Sequence, residues 1–546
     1  MAQMKWKLAR VLLATAFLAG RALAQETTLQ ILSVNDTHSN LEAGGPKDAN
    51  LDGTLGGLPK AATVITQLRS AEPDNTLFLH AGDLFSGDIY FNATFGSYEM
   101  RLLALLGLDA MAVGNHELWM PPVVLAAAYQ AAFAPDALGQ APTPFAILSA
   151  NLVPDPALPF VVPSVVRVVG GVKVGILGVV TPFDLPEQAN ARFLGGESPP
   201  LGMLAFVGNE VGKLRYAGAQ VVILLSHLGM PLDRAIAANV PGVNAIIGGH
   251  DHAEIAETVN GVPIVHAGAY YRDVGRVRLS IGSSGVTVLS RELVPVEAAV
   301  PRLPPIAAAV QQVQGIARFV FAPYLDEADY GFWFRTPIAT AAEDVTKTAD
   351  DGAKRDTGLG NLVTDAMRWR TGTDVAFTAN GQTPQGIAAG PILSEDLFRV
   401  VGLGFDRTTH FGGRLVTFSI TGGEIWKALE TTIAFALQDD DYGIQVSGMS
   451  YDYDSRLPAG HRLLSVRIGN TPLSPTQKYT ATVNDFVFGV LNAPQLGVSI
   501  VPESAVLLED FEVLALRDFV IRLGTVSYPE GSNRVRDLAG RGNGKR

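Results

Sequence analysis

The sequence contains no cysteine, and this absence excludes several kinds of protein. Disulfide-stabilised scaffolds, thiolate metal sites and enzymes with a cysteine nucleophile are all ruled out. A lipid anchor attached to cysteine is excluded as well. The stability of the chain must therefore come from apolar cores and from metals bound by nitrogen and oxygen ligands.

Basic residues are also scarce. Lys and Arg total 41 against 53 Asp and Glu, which gives a formal net charge of −12 at pH 7. This balance disfavours nucleic acid as a partner. We expect any anionic substrate to be a small molecule held by metals and by a local basic pocket.

Long apolar runs are absent after the N-terminus, so we expect no membrane-spanning segment. A basic N-terminal stretch leads into the short apolar run VLLATAFLAG, and Ala22-Leu23-Ala24 forms a small-x-small cleavage site. Residues 1–24 are therefore predicted to be a signal peptide. The stretch lacks the adjacent arginine pair of a twin-arginine signal. The mature protein is expected to be periplasmic or secreted.

The length of 546 residues is too great for one core and indicates two or three domains. In residues 25–299, strand-like runs alternate with Ala/Leu-rich helical stretches, which is typical of an α/β fold. The proline-rich VPRLPP and the helical run after it predict a linker and connecting helix over 300–331.

The second half, residues 332–530, is predicted to be an α+β domain. The segments FGGRLVTFSITGGEI and KYTATVNDFVFGV both favour strands. Residues 531–546 are polar and glycine-rich, so we expect a flexible tail.

Five apolar runs in the first half each lead into hard metal ligands: LQILSVNDTH, TLFLHAGD, MAVGNHE, VVILLSHLG and NAIIGGHDH. A short continuous apolar run is typical of a buried strand in a sheet that is covered on both faces. Ligands gather at the carboxyl ends of such strands, so one convergent site is expected. The candidate residues are Asp36, His38, Asp83, Asn115, His116, His227, His250 and His252.

These side chains are typical of a site for two divalent ions. Asp36 and His38 are two residues apart, so in an extended segment they point to the same side. Two ions about 3.5–4 Å apart can orient an attacking hydroxide and neutralise phosphoryl charge. Asp83 is the natural bridging carboxylate. Nitrogen and oxygen ligands of this kind suit Zn, Mn, Co and Fe alike, so the metal identity stays open.

In this order, the five motifs resemble those of the calcineurin-like metallophosphoesterases. The later segments RDTGLGNLVTDAMR, GPILSEDLF, QVSGMSYDYD and YTATVNDF resemble the carboxy-terminal domain of exported bacterial and animal 5′-nucleotidases. The resemblance covers roughly residues 28–528. It implies a four-layer α/β/β/α sandwich followed by a smaller α+β substrate-binding domain.

The resemblance also implies roles for individual residues. His116 is assigned to the transferred phosphoryl group and the leaving oxygen, and Asn115 contacts the substrate as well as a metal. The expected activity is that of an exported nucleotide phosphomonoesterase in which metal-bound hydroxide attacks phosphorus in line. The implied ligand sets share one carboxylate: Asp36, His38, Asp83 and His252 for one ion, and Asp83, Asn115, His227 and His250 for the other.

Two positions depart from the family pattern. Trp119 stands where relatives usually carry an Asp that pairs with the catalytic His, and Pro384 stands near the position of a nucleotide-binding Arg. Phe486 matches one of the two aromatic residues that hold the base, and Tyr442 is an approximate match for the other. The arginines expected near the substrate pocket are Arg399, Arg407 and Arg414.

These departures leave other functions open. One alternative is a phosphodiesterase, a 2′,3′-cyclic nucleotidase or a non-nucleotide phosphatase on the same scaffold. The thiosulfohydrolases share the two-domain plan but usually carry twin-arginine signals. A binding protein that keeps its metals with little turnover would explain Trp119 and Pro384, although the complete ligand set argues against it. A monomer is the simplest expectation.

Overall fold

The computed structural model describes residues 26–136, 139–182, 191–195, 201–324, 332–347, 355–491, 504–529 and 531–540. The expected signal peptide lies outside the described residues, as do positions 541–546 of the expected tail. Among the described helices, none combines the length and the apolar character that a membrane span requires.

The strands in chain order are β1 Thr27–Val34, β2 Gly44–Lys47, β3 Gly53–Leu55, β4 Thr76–His80, β5 Ala110–Ala112, β6 Ala146–Leu148, β7 Val161–Val162, β8 Ser164–Val169, β9 Val172–Val180, β10 Val221–His227, β11 Ala245–Gly248, β12 Glu254–Val259, β13 Val262–Ala267, β14 Asp273–Gly282 and β15 Gly285–Pro295. Those of the second half are β16 Ala339–Ala341, β17 Val375–Ala379, β18 Gly390–Ile392, β19 Arg414–Thr421, β20 Ile444–Ser447, β21 Met449–Tyr453, β22 Leu463–Ile468, β23 Thr471–Pro472, β24 Lys478–Asn484, β25 Val506–Phe511, β26 Thr525–Val526 and β27 Val535–Asp537.

The α-helices are α1 Leu58–Ala71, α2 Ile89–Thr94, α3 Ser97–Leu105, α4 Pro122–Ala132, α5 Leu201–Tyr216, α6 Met230–Asn239, α7 Pro304–Phe321, α8 Phe332–Arg335, α9 Gly358–Thr371, α10 Ser394–Val400, α11 Gly422–Ala436, α12 Asp485–Leu491 and α13 Glu512–Leu523. The five ligand-bearing runs of the sequence correspond to β1, β4, β5, β10 and β11.

The chain forms two compact units whose boundaries differ from the expected domains. The first unit contains residues up to Thr37, Ala61–Leu84 and Met100–Val296. The second contains His38–Lys60 and Phe85–Glu99 together with everything from Glu297 onward. The break near residue 297 is close to the expected one, but two earlier segments cluster with the second half.

The first unit contains two sheets with strand orders β15-β14-β1-β4-β5-β6-β7 and β12-β13-β11-β10-β9-β8. In the first sheet, β1, β4, β5, β6 and β7 are parallel. In the second sheet, β9, β10, β11 and β13 are parallel. The carboxyl ends of the parallel strands of a sheet lie along one edge, so each sheet presents one edge at which its strand-end side chains collect.

The two sheets pack face to face through one apolar core, which contains Ile31, Leu79, Ile223, Ile247 and Leu279. Burial of this kind stabilises a fold by roughly 25 cal/mol per Å² of apolar surface. On the outer face of the six-stranded sheet, α5 and α6 close a second core.

The outer face of the seven-stranded sheet is covered by α1. The Gln30 Nε2 of β1 donates to the carbonyl oxygen of Leu68 in α1 at 3.0 Å. The four-layer α/β/β/α arrangement is therefore confirmed.

The second unit contains a five-stranded sheet of order β20-β17-β24-β19-β25 and smaller sheets of four, three and two strands. Helix α11 and strands β17, β19 and β24 share its main apolar core, represented by Ile425, Phe377, Phe418 and Val483. This is the expected α+β arrangement.

Polar contacts explain why the two early segments join the second unit. Lys47 Nζ lies 2.6 Å from Asp396 Oδ1, and both side chains are largely buried. The Tyr90 hydroxyl donates to Glu395 Oε1 at 2.8 Å. These partners are about 300 or more residues apart in the chain, so a local sequence pattern does not predict that they pair.

The expected flexible tail is wrong for residues 531–540. Strand β27 pairs in parallel with β21, and Val535 is buried. The carboxylate of Asp356 accepts hydrogen bonds from the backbone N–H groups of Ser532 and Arg534. The Arg534 guanidinium is paired with Asp365. These contacts order a segment whose composition alone favours disorder.

The favoured strand covers only the first part of KYTATVNDFVFGV. Strand β24 ends at Asn484, and helix α12 begins at Asp485. The Asn484 Oδ1 accepts a hydrogen bond from the Val487 N–H at 2.8 Å, which is the way that an asparagine caps a helix. Phe486 therefore lies on the first turn of a short helix.

Gly248 at the end of β11 provides a stability test. A Cβ at this position would lie 2.0 Å from His266 Nε2 and 2.5 Å from Asp233 Oδ2, so we expect Gly248→Ala to destabilise the protein by about 1–3 kcal/mol or more. The matched control is Gly212→Ala within α5, where a Cβ meets nothing within 4 Å. It should be neutral or stabilising by up to about 1 kcal/mol. Urea unfolding of both variants with equal midpoints would contradict the close packing.

Candidate metal centre

The strands of the first unit bring seven of the eight candidate residues to their carboxyl ends. Asp36 follows β1, Asp83 follows β4, and Asn115 with His116 follows β5. His227 is the last residue of β10, and His250 with His252 follows β11. Apart from His252, which is half-buried, and His250, which is partly exposed, all of these side chains are buried.

Asp83 and Asp36 lie beside the buried ring of His227. His227 Nε2 is 3.1 Å from Asp83 Oδ2 and 4.0 Å from Asp36 Oδ1. Asp83, His227 and His250 offer ligand atoms that all lie within 4.8 Å of one another. The backbone N–H of His250 donates to the Asp36 carboxylate at 3.0–3.1 Å and so fixes its orientation.

Asn115 brings two imidazole nitrogens together. Its Oδ1 lies 3.0 Å from His227 Nε2 and 3.1 Å from His250 Nδ1. The other nitrogen of His227, Nδ1, is 2.7 Å from the carbonyl oxygen of Ala81, to which an N–H can donate. That bond leaves a lone pair on Nε2, directed at oxygens that also carry lone pairs. Such a convergence requires a cation, and outer hydrogen bonds of this kind orient metal ligands.

The electrostatics of His227 lead to the same conclusion. Burial alone lowers the pKa of this imidazole, but the negative charges of Asp83 and Asp36 raise it to about 10. The carboxylates thus require positive charge at this point. A divalent ion supplies that charge and takes the imidazole as a neutral ligand. The residues present therefore fit a metal site.

His252 is a partly exposed candidate ligand of the first unit, and His38 belongs to the second unit. The side chain of His252 is 35% exposed, and its Nε2 lies 3.9 Å from Asp36 Oδ1. The hydroxyl of Tyr270 lies 3.4 Å from its Nδ1. His38 is two residues beyond Asp36 in the chain and is the first residue of the second unit. Its Nδ1 lies 3.0 Å from the carbonyl oxygen of Phe85.

Several candidate ligands have a left-handed backbone conformation. A positive φ is uncommon for residues other than glycine and costs of order 1–3 kcal/mol. Strain of this size persists where surrounding contacts impose it, typically at functional sites. The residues and their φ angles are Asp36 at 47°, His38 at 48°, Asp83 at 58°, His250 at 88° and His252 at 55°.

Glu117 organises the ligand loops, a role that the sequence did not reveal. Its carboxylate accepts backbone hydrogen bonds from Asp83 at 3.0 Å, Leu84 at 2.8 Å and Gly114 at 2.6 Å. The loop after β4 is thereby tied to the loop after β5. Glu117 directly follows His116, and this proximity to the motif was the only available signal.

A buried polar network supports the loops after β10 and β11. Asp233 accepts a hydrogen bond from Ser226 Oγ at 2.5 Å and pairs with His266 Nε2 at 2.8 Å. All three side chains are fully buried. His80, also buried, lies 3.0 Å from Thr37 Oγ1 and accepts from the N–H of Gly82 at 3.1 Å. These histidines hold the backbone beside the ligands.

His116 is held at the start of a 3₁₀ turn, His116–Leu118. Its backbone N–H donates to Asp83 Oδ1 at 3.0 Å. Trp119 follows the turn, and its indole lies against the imidazole with ring centroids 3.9 Å apart. At the position of the expected carboxylate, an aromatic ring thus covers His116.

The expected substrate residues lie in the second unit. Phe486 is half-buried and packs against the main core of this unit. Tyr442 ends a 3₁₀ turn, is 42% exposed, and has its ring 5.7 Å from that of Phe435. Arg407 is exposed in the turn-rich loop between α10 and β19.

Arg399 and Arg414 have partners within the second unit, and their expected role as substrate contacts stays a prediction. Arg399 is 3% exposed; its Nε donates to Asp88 at 2.7 Å and its Nη2 to Glu395 at 2.6 Å. Arg414 donates to the carbonyl oxygen of Leu508 and to Glu509. Glu395 is four residues from Arg399, whereas Asp88 and the partners of Arg414 are distant in sequence.

Comparison with known families agrees with this geometry. Residues 29–254 match the calcineurin-like phosphoesterase model, and residues 337–494 match the 5′-nucleotidase C-terminal domain. The chain belongs to the 5′-nucleotidase family. Members of this family are metal-dependent phosphoric ester hydrolases, and the chain is one of them.

Individual relatives are distant in sequence, and the share of their length that this chain spans varies. The mouse 5′-nucleotidase is 26% identical, and the match covers 85% of this chain and 81% of that protein. The trifunctional nucleotide phosphoesterase protein YfkN of Bacillus subtilis is 25% identical over 84% of this chain, which spans only 32% of that protein. The 5′-nucleotidase precursor of Thermus thermophilus has a TM-score of 0.75 and 26% identity, with 94% of this chain and 99% of that chain covered.

The role of Glu117 can be tested by Glu117→Gln. The amide would present an N–H₂ group to at least one backbone N–H that now has an acceptor, so we expect a loss of about 1–3 kcal/mol and weaker metal retention. The control is Glu210→Gln, which weakens an i,i+3 pair with the exposed Lys213 and should change stability by less than about 0.5 kcal/mol. Urea unfolding and elemental analysis after dialysis measure both effects. A Glu117→Gln protein that matches wild type in both would disprove the role.

Proposed function

We propose that the protein is an exported dimetal phosphomonoesterase that releases phosphate from nucleotides. The observation that supports this most directly is the convergence of Asp36, Asp83, Asn115, His227 and His250 at the carboxyl ends of two sheets in one unit. Export rests on the N-terminal sequence alone. N-terminal sequencing of the protein recovered outside the cytoplasm should begin at Gln25.

The proposed ligand sets follow the family resemblance. One ion would take Asp36, His38, Asp83 and His252, and the other Asp83, Asn115, His227 and His250. When bound, such a pair supplies an activated water and neutralises charge on the phosphoryl oxygens. The buried carboxylates and the lone pairs on His227 and Asn115 suit this purpose. Nitrogen and oxygen ligands of this kind do not discriminate among Zn, Mn, Co and Fe.

His116 is the proposed catalytic side chain. Its backbone is fixed by Asp83, and its ring is set beside the ligands. An imidazole at this point can donate a hydrogen bond to the phosphoryl group and to the leaving oxygen as negative charge develops. A group positioned in advance stabilises the transition state without reorganisation.

Recognition of the nucleotide is proposed to depend on Phe486, with Tyr442 and Arg407 as further contacts. Phe486 is half-buried on the first turn of α12, so part of its ring is accessible. The helix cap formed by Asn484 fixes the direction of that turn. A ring held in this way can stack on a base, which is worth about 1–3 kcal/mol.

A non-nucleotide phosphate ester is the second candidate substrate. Two of the three expected arginines are engaged in internal contacts, and Pro384 stands near the expected position of a nucleotide-binding Arg. A panel of nucleoside mono-, di- and triphosphates, cyclic nucleotides and sugar phosphates, assayed with Mn, Co and Zn, separates the candidates. Higher kcat/KM for nucleoside monophosphates supports the proposal, and preference for sugar phosphates or cyclic nucleotides overturns it.

The bridging role of Asp83 predicts a hierarchy among ligand variants. Asp83→Ala should lower kcat by roughly 10³-fold or more, because both ions lose a ligand and their mutual repulsion is unscreened. His252→Ala should cost less, about 10- to 100-fold, because one partly exposed ligand is lost. Phosphate release and metal content are measured for both. Equal losses would show that Asp83 does not bridge.

Phe486→Ala tests the nucleotide platform. We expect KM for a nucleotide to rise about 5- to 150-fold with little change in kcat, because stacking is made equally in the ground and transition states. An aryl phosphate should be hydrolysed as by wild type. The matched control is Phe488→Ala on the same helix, a partly buried residue that packs against the same core with its ring centroid 5.3 Å from that of Phe418. It should lower stability and leave KM unchanged. If both substrates lose equally in Phe486→Ala, Phe486 is a core residue.

A further inference from the structure

The contact between His116 and Trp119 is local and close. The two residues flank a single 3₁₀ turn, and the Trp119 N–H donates to the His116 carbonyl oxygen at 3.3 Å. Their ring centroids are 3.9 Å apart, and the ring planes are inclined by 31°. The two rings are thus in close contact at a tilt, and an aromatic pair in contact adds about 0.5–1.5 kcal/mol beyond the burial of area.

The backbone of His116 is fixed independently of this stack. Its N–H donates to Asp83 Oδ1 at 3.0 Å, so the Cα position is set by the loop. This backbone hydrogen bond does not determine the orientation of the ring, because rotation about the side-chain bonds moves the imidazole nitrogens through several ångströms. Its Nε2 lies 3.9 Å from Asp83 Oδ2, which is too long for a hydrogen bond. Trp119 covers one face of the ring and blocks rotation toward that side.

We propose that Trp119 is the positioning residue for His116, and that it orients the imidazole by stacking where a hydrogen-bonded carboxylate would do so by charge. The proposal rests on the proposed catalytic role of His116. An indole has no acceptor for an imidazole N–H, so it fixes the plane of the ring without attracting a proton to it. The contact with Trp119 therefore constrains the plane of the His116 ring by shape.

This mode of orientation predicts which kinetic constant responds. A misplaced catalytic group acts on the transition state, and a misplacement of about 1 Å can cost about 10²-fold in rate. Trp119→Ala should therefore lower kcat by roughly 10- to 100-fold and change KM by less than about threefold. Trp119→Phe keeps an aromatic face against the imidazole and should retain kcat within about fivefold. Trp119→Leu fills space without a ring and should resemble Trp119→Ala.

The experiment is a double-mutant cycle with His116→Ala, with kcat and KM measured on an aryl phosphate and a nucleotide. If Trp119 acts through His116, adding Trp119→Ala to the His116→Ala protein should cause no further loss of kcat. A purely structural role would lower kcat in both backgrounds. Metal content and thermal unfolding are recorded for every variant, and Trp426→Ala, on α11 of the second unit, serves as the control for loss of an indole.

The outcomes separate this inference from the proposed function. Wild-type kcat in a folded, metal-loaded Trp119→Ala protein overturns the positioning role, as does equal loss in Trp119→Phe and Trp119→Ala. Additive losses in the double variant overturn it as well. If His116→Ala alone retains wild-type kcat, the catalytic role of His116 fails, and the positioning role fails with it. Rescue by phenylalanine together with a non-additive cycle supports the proposal.

Discussion

The attraction between buried carboxylates and the cations they require is the constraint on which this site depends. Asp36 and Asp83 are placed at the ends of neighbouring parallel strands, beside the fully buried ring of His227. Their charge raises the pKa of that ring to about 10. Two carboxylates in so little space are costly unless positive charge compensates them. The architecture of the first unit brings nitrogen and amide oxygen atoms to the same point, and together with the carboxylates these atoms can hold the cations that supply this charge.

The supporting contacts follow from the same requirement. Side chains that bind ions must keep fixed positions. Here, hydrogen bonds to backbone N–H groups hold the loops that carry these side chains. Glu117 joins the loops after β4 and β5 by accepting hydrogen bonds from three backbone N–H groups. Asp233 contacts both Ser226 and His266 and so supports the loops after β10 and β11. The left-handed conformations of Asp83 and His250 show that the site imposes strain on its own ligands. The apolar core between the two sheets stabilises the fold and offsets the free-energy cost of this strain.

The sequence predicted the features that depend on local pattern. A run such as VVILLSH predicts both the buried strand β10 and the candidate ligand at its end. Both features depend on adjacent residues, namely the unbroken apolar run and the His227 that ends it. Features that depend on partners distant in sequence could not be predicted. Arg399 was expected near the substrate pocket, and its pairing with Asp88, which is 311 positions away, could not be predicted from the sequence. The strand β27 forms because Asp356 binds its backbone, although its own composition favours disorder. Trp119 was recognised as a departure, but its stacking on His116 could be learned only from the structure.

The proposed metal centre holds two ions that share Asp83. The most direct measurement is anomalous X-ray diffraction from crystals grown with Mn, with data collected above and below the metal absorption edge. Two peaks within about 4 Å of each other and on either side of the Asp83 carboxylate are expected. A single peak, or two peaks that do not both contact Asp83, would contradict the account.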